Sequence, residues 1–201
     1  MAKEGLPFVL IPAVIALILA YLQLWWVAAL FAALAGFMAF FFRDPYREVP
    51  DEAGIIVSAA DGKVTRIDRH DDGSTTVSVF LSPIDVHINR SPMTGLVEKV
   101  EYVKGKKAPA TGNDASFVNE RNSILLKGEQ ASVKVTQIAG ILARRIVCWC
   151  GEGDELEIGE RFGLIKFSSR TDVRMPSNIE VLAKVGDRVK GGVTIIGRLR
   201  E

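Results

Sequence analysis

Two cysteines, two histidines and almost no net charge are what this 201-residue sequence is most obviously short of. A formal charge of +1 leaves no bulk field to gather a polyanion, so no nucleic-acid partner is expected. The cysteines, Cys148 and Cys150 in "VCWC", lack the second ligand pair that a structural zinc requires. Their spacing of two puts both on one face of a strand, and the expected state is two buried free thiols in a reducing compartment. With only His70 and His87 and scattered carboxylates, no metal site is expected. No Gly-x-Ser-x-Gly elbow is present, which argues against an ordinary serine hydrolase.

The longest absence is charge itself. From Phe8 to Phe42 no side chain carries a charge, a run of 35 residues between Glu4 and Arg43. One helix of that length would reach roughly 50 Å, too long for a bilayer without a steep tilt. The run softens at "YLQLWW", and Tyr and Trp favour the headgroup level. Two short membrane-embedded helices follow, about 8–22 and 26–42, joined near Gln23; a re-entrant hairpin is the other reading. A cleaved signal peptide is disfavoured, because Lys3 is offset by Glu4 and no small-x-small site closes a short apolar core. Arg43, Arg47 and Lys63 are balanced by Asp44, Glu48, Asp51 and Glu52, so the flanks only mildly favour the cytoplasmic side for residues 43–201.

Residues 1–42 therefore read as a hydrophobic helical hairpin, 43–54 as a polar, proline-marked linker, and 55–201 as one domain. In that domain short β-like runs alternate with Asp-Gly and Gly-rich turns, giving a mostly β, sandwich- or barrel-like fold. Residues 106–122 lack a clean period and read as a long loop, and 137–150 leaves room for some helix. "GDELEIG" (153–159) and "GDRVKGG" (186–192) repeat Gly-Asp-x-apolar-x-x-Gly. The second resembles half of a biotinyl/lipoyl-type domain, but no Met-Lys carrier pair is present.

His70, in "RHDDGS", reads as a solvated turn residue. Asp85 and His87 are two apart and share a face if extended, so either a carboxylate fixes the imidazole or the two form a structural pair. Asp61 lies in an Asp-Gly turn, most often a structural position. Lys104, Lys106 and Lys107 could equally face anionic headgroups or a solvated turn. The most unusual stretch is "KFSSRTD" (166–172). A serine in a well-presented turn can attack the preceding carbonyl, and elimination from the resulting ester leaves a pyruvoyl group at the new N-terminus.

Taken in order, "FFRDPYREVP", "VSAADGKV", "LSPIDVHINRSPMTG", "NERNSI", "FGLIKFSSRTDVRMP" and "VGDRVKGGVTIIG" resemble the phosphatidylserine decarboxylase proenzymes of the short, membrane-associated bacterial and archaeal type. The resemblance covers nearly everything from residue 40 onward. It implies self-cleavage between Ser168 and Ser169 into a β chain, 1–168, and an α chain, 169–201, which stay associated. It implies a covalent pyruvoyl cofactor derived from Ser169, with His87 and Asp61 as the base system. It also implies decarboxylation of phosphatidylserine to phosphatidylethanolamine through a Schiff base at the cell membrane. Arg90 and Lys104 are the candidates for the substrate's phosphate, on charge alone, and a homo-oligomer is left open. Two positions depart from the family's usual pattern: Ser168 stands where glycine is common, and Arg90 where larger members carry a second histidine. The rival reading is a membrane-tethered, non-enzymatic β-sandwich that binds a partner or carries a group.

Overall fold

The computed structural model describes residues 1–106, 108–109, 118–140, 145–166 and 169–200, and divides into two units, Met1–Tyr46 and Arg47–Glu201.

In the first unit the uncharged run folds as α1 (Leu6–Tyr21) and α2 (Trp25–Phe41). The reversal falls at Gln23, whose φ of 62° is a left-handed conformation that ends one helix and redirects the chain. The helices pack on each other, and Phe8 stacks on Phe42 with ring centroids 5.4 Å apart. Leu10, Leu17, Ile18, Trp26 and Leu30 stay exposed. The segment Lys3–Tyr21 is long and apolar enough to cross a membrane, by length and composition, whereas Trp25–Phe41 is shorter.

The second unit is built from antiparallel sheets. The largest has eight strands in the order β13 (Arg188–Val189), β2 (Gly62–Arg69), β3 (Thr75–Leu81), β11 (Ser169–Met175), β7 (Ser132–Ala139), β6 (Arg121–Lys127), β5 (Gly95–Val103) and β9 (Glu155–Leu156). Two three-stranded sheets complete it, β1 (Ile55–Val57), β14 (Ile195–Leu199) and β12 (Ile179–Val181), and β4 (Ile88–Arg90), β10 (Arg161–Ile165) and β8 (Ile146–Cys148). Period-two alternation turns Val64, Val77, Val79, Ile124, Leu126, Val133, Val135 and Val173 into one core, joined by Phe162, Met175 and Ile196. At about 1.5–3 kcal/mol for each fully buried large aliphatic side chain, this core is the main source of stability.

The Gly-Asp repeat has a structural meaning. Asp154 accepts the Gly151 N–H and Asp187 accepts the Lys184 N–H, both at 2.8 Å, so each aspartate caps its own turn. Each cap leads into a two-residue strand, β9 or β13, and these are the two edges of the eight-stranded sheet. The sheet is curled enough that the repeat's ends meet. A Cβ on Gly192 would lie 3.3 Å from Gly159 Cα.

Two expectations change. The stretch 137–150 holds no helix among its described residues: 137–139 end β7 and 146–148 form β8, with 141–144 outside the described residues. Cys148 and Cys150 are free but only half-buried, because β8 is an edge strand beside β10. Their Sγ atoms lie 3.6 Å apart, and sharing the thiol hydrogen holds Cys148 down to about 6 and pushes Cys150 up. Most of the expected loop at 106–122 lies outside the described residues.

Candidate active site

Two of the residues singled out from sequence, Ser169 and Asp61, lie at one end of the eight-stranded sheet. Ser169 opens β11 there, paired with Leu81 at the end of β3 and Ala139 at the end of β7. Asp61 directly precedes β2, two strands from Ser169, or about 10 Å at the usual strand spacing. Gly62 makes the close approach of β2 to β3 feasible: its φ is 151°, and a Cβ would sit 2.1 Å from the Phe80 carbonyl oxygen.

Along β11 the side chains alternate. Ser169 and Thr171 share the face of the core residues Val173 and Met175, whereas Arg170, Asp172 and Arg174 take the other. Ser169 is fully buried, and its Oγ has no hydrogen-bond partner among the described residues. Leaving a buried hydroxyl unsatisfied costs about 1–3 kcal/mol, and such exceptions ask for a functional explanation. Ser168, on the other side of the expected scissile bond, lies outside the described residues.

Behind Ser169 runs a buried amide network. Asn89 Nδ2 donates to Thr171 Oγ1 (2.9 Å), Gln137 Nε2 donates to Asn89 Oδ1 (2.9 Å), and Asn122 Nδ2 donates to Gln137 Oε1 (3.1 Å). The chain of bonds ties β4, β11, β7 and β6 together and fixes β11 where Ser169 enters. Asn119 adds a clamp at the end of β7, donating from Nδ2 to the carbonyls of Ala139 and Ala108, both at 2.8 Å.

His87 is buried immediately before β4, and its carbonyl accepts the Ile165 N–H four residues ahead of Ser169. Its Nδ1 lies 2.9 Å from the Asp85 backbone oxygen. A carbonyl only accepts, so Nδ1 carries the hydrogen and Nε2 is the basic nitrogen of the neutral ring. The carboxylate–imidazole reading of Asp85 and His87 is therefore corrected. Asp85 Oδ2 accepts the N–H and hydroxyl of Ser82, and Oδ1 accepts Arg188 at 3.2 Å. The turn after β3 spends the carboxylate on its own cap and presents only the carbonyl to the imidazole.

Asp61 is held from two distant parts of the chain. Arg47 Nη2 donates to Oδ2 at 2.6 Å, and the Gly191 N–H donates to Oδ1 at 2.8 Å. Burial pushes the carboxyl above its ordinary 3.8, the Gly191 N–H and the Arg47 charge pull it back only in part, and Asp85 adds to the rise. A carboxylate raised in this way is a better base than a solvated one.

The remaining sequence candidates are separated. Arg90 is buried and donates from Nη1 to the Gly159 carbonyl at 3.0 Å. Lys104 is exposed just past β5, at the Ser169 end of the sheet but three strand spacings, about 14 Å, from β11. His70 is exposed, with Nε2 2.8 Å from Thr76 Oγ1, on the strands' opposite ends. Sequence reasoning assigned no role to Arg47, Asn89, Asn119, Asn122, Gln137 or Thr171. The motif pieces "HINR" and "NERN" contained three of them, but their partners lie too far along the chain for spacing to reveal.

Comparison with known proteins shows the family to which the chain belongs. The sequence model of the family described as phosphatidylserine decarboxylase matches residues 34–197. A protein of Symbiobacterium thermophilum named phosphatidylserine decarboxylase proenzyme is 47% identical over 98% of this chain and 95% of its own length. Proteins of the same name from Syntrophus aciditrophicus and Chlorobium chlorochromatii are 41% and 42% identical, over 98% and 94% of this chain and 96% and 92% of their own lengths.

Proposed function

Because this chain belongs to the phosphatidylserine decarboxylase family and is an enzyme of it, we propose that it cuts itself between Ser168 and Ser169 and then converts phosphatidylserine to phosphatidylethanolamine. The observation that carries this reading is the buried Ser169 hydroxyl without a hydrogen-bond partner among the described residues, set at a strand entrance. It fits a serine kept for attack on its own backbone.

Ser169 Oγ attacks the carbonyl carbon of residue 168. The C–N bond breaks, the nitrogen stays on residue 169 as an amine, and an ester joins the two. Loss of the Cα proton of residue 169 then expels residue 168 as a carboxylate, leaving a double bond between Cα and Cβ. Tautomerisation and hydrolysis release ammonia and leave a ketone at the head of the 33-residue α chain. His87 Nε2 takes the protons in these steps, and Asp61 supplies the carboxylate of the base system. The pyruvoyl group, once formed, supplies an electrophilic ketone that engages the substrate amine and draws electrons from the bond to the leaving carboxylate. His87 returns the proton to the substrate's Cα.

Strand pairing supports continued association of the two chains. In the precursor β11 lies between β3 and β7, β13 pairs with β2, and β14 pairs with β1, so the α segment is laced into the β segment by three sets of ladders. The apolar hairpin would hold the domain at the cell membrane, on the cytoplasmic side, where a lipid need only lift its headgroup. Lys104 has the access to meet the headgroup phosphate. Arg90, already engaged by Gly159, would have to share its guanidinium.

Denaturing intact-mass measurement tests the core of this reading. Purified protein is expected as two species, 1–168 and a fragment of 33 residues beginning in a pyruvoyl group. Ser169→Ala should give one intact, inactive chain. An S169A protein still split at 168/169 would sink the assignment. His87→Ala should lower turnover of whatever mature enzyme forms, and unchanged maturation and turnover would return His87 to a structural role.

A further inference from the structure

The segment between the hairpin and β1 reads in sequence as a linker, but in the fold it is a strap fastened at three points. Arg47 grips Asp61 at 2.6 Å. Val49 packs so tightly on Gly159 that a Cβ there would lie 2.3 Å from Val49 Cγ2. Glu52 meets Arg198 at 2.5 Å. The first of these contacts is the buried one, with the side chains of Arg47 and Asp61 only 11% and 14% exposed, whereas Glu52 and Arg198 are half in solvent.

We propose that Arg47 is a positioning residue for self-cleavage, which holds Asp61 in the orientation and charge state its base role needs, so that maturation depends on the strap being docked. This rests on the assignment of Asp61 to the base system. The argument is one of charge and direction. From the strap, Arg47 faces Asp61. From the turn after β3 comes Asp85, a like charge, itself held by Arg188 of β13. From the loop at Gly191 comes a backbone N–H. Arg47 is thus the charge that makes an ionised Asp61 tolerable in a buried place, and an opposite charge at contact distance favours the ionised form. With the Gly191 N–H on Oδ1 and Arg47 on Oδ2, the carboxylate plane is also fixed, which two point contacts achieve and one does not. Without Arg47 the carboxyl would face Asp85 with burial unopposed by a cation. It would take up a proton and act as an acid where a base is required.

Arg47 is the first residue after the hairpin unit, which ends at Tyr46. The strap residue closest in sequence to the hairpin unit is the one that touches the candidate base.

The test follows cleavage of full-length precursor in detergent by denaturing intact mass across about pH 5 to 9, for Arg47→Gln, Arg47→Lys, Glu52→Ala and Asp61→Asn. Arg47→Gln should slow cleavage about tenfold or more at neutral pH and move the acidic limb of the rate profile upward by about a unit or more, so that alkaline pH restores rate. Arg47→Lys should restore most of the rate and move the limb back. Glu52→Ala, which removes the half-exposed contact with Arg198 and leaves the strap docked through Arg47 and Val49, should cleave as wild type. A merely structural Arg47 would lower the rate evenly at all pH values, and an unshifted limb in Arg47→Gln overturns the proposal. If Arg47→Gln does not fold, Arg47→Met, which also lacks the cation, decides instead: an upward-shifted limb supports the proposal and an unshifted one overturns it. Asp61→Asn separates the two layers. If it blocks cleavage while Arg47→Gln behaves as wild type, only Arg47's role falls. If Asp61→Asn itself cleaves normally, the base assignment falls and takes this inference with it.

Discussion

Arg47–Asp61 and Arg170–Asp172 are both buried arginine–aspartate pairs near the Ser169 end of the sheet, with side chains exposed 11% and 14% in the first and 4% and 11% in the second. Burial therefore does not separate them, and geometry does. Arg170 and Asp172 are two apart on β11, on one face, and meet side-on: Nη2 to Oδ2 at 2.9 Å and Nε to Oδ1 at 2.8 Å. The contact is made within one strand, by residues two apart, an arrangement that any strand with this dipeptide spacing can make. Asp61 instead divides its oxygens between Arg47, 14 residues earlier, and Gly191, 130 residues later. Only the finished fold brings those three together, and burial lifts the carboxyl above its ordinary range. A local ion pair within one strand is suited to holding that strand. A carboxylate raised in basicity and assembled from distant pieces is suited to proton transfer.

Replacing each aspartate should separate chemistry from stability. Asp61→Asn should cut the rate of self-cleavage by about 10²–10⁴-fold, the usual worth of a positioned base, as read from the fraction of two-chain protein over time. Asp172→Ala breaks a buried ion pair and should lower the stability of the domain by about 3–5 kcal/mol, read by denaturant or thermal unfolding. The molecules of Asp172→Ala that do fold should still cleave. The contrast breaks if Asp172→Ala blocks cleavage in folded protein, or if Asp61→Asn proves the more destabilising of the two.

The difference between the pairs also marks what the sequence could reveal. The hairpin was legible because 35 residues without a charge leave few other structures open, and its turn at Gln23 was marked by flanking Tyr and Trp. The Gly-Asp repeat was legible because each cap is local, Asp154 on Gly151 and Asp187 on Lys184. Asp85 misled for the same reason that it stood out. Its spacing to His87 suggests a carboxylate–imidazole pair, but the turn gives the carboxylate to Ser82 and Arg188 and leaves the carbonyl to the ring. Arg47 was invisible as a partner of Asp61, since in a linker of mixed charge it reads as one member of a balanced flank. The Asn89–Gln137–Asn122 network draws on three strands and leaves no periodic trace at all. Local turns, caps and apolar runs are written in neighbouring residues. A buried site is written in long-range register, such as Ser169 opposite Leu81 and Ala139, which pattern reading does not supply.

The smallest expected effect tests the comparison at its base. Asp61 has a carboxyl raised above 3.8, so its contribution to stability is fully present below that value and is lost as pH rises through the elevated pKa. Each unit of elevation costs about 1.4 kcal/mol once the group is ionised. In an intact precursor, Ser169→Ala, the melting temperature should therefore fall relative to the Ser169→Ala/Asp61→Asn double variant as pH climbs from about 4 to about 7. The stranded Arg47 in the double variant sets a constant offset between the two curves and leaves their divergence to Asp61. A flat difference would mean that Asp61 titrates at its ordinary value and that burial is fully offset by Arg47 and Gly191. A difference that grows in favour of the single variant would mean that the ion pair dominates. Asp61 would then stabilise the fold as Asp172 does, the two pairs would be alike in kind, and the base of the self-cleavage would have to be sought at His87 alone.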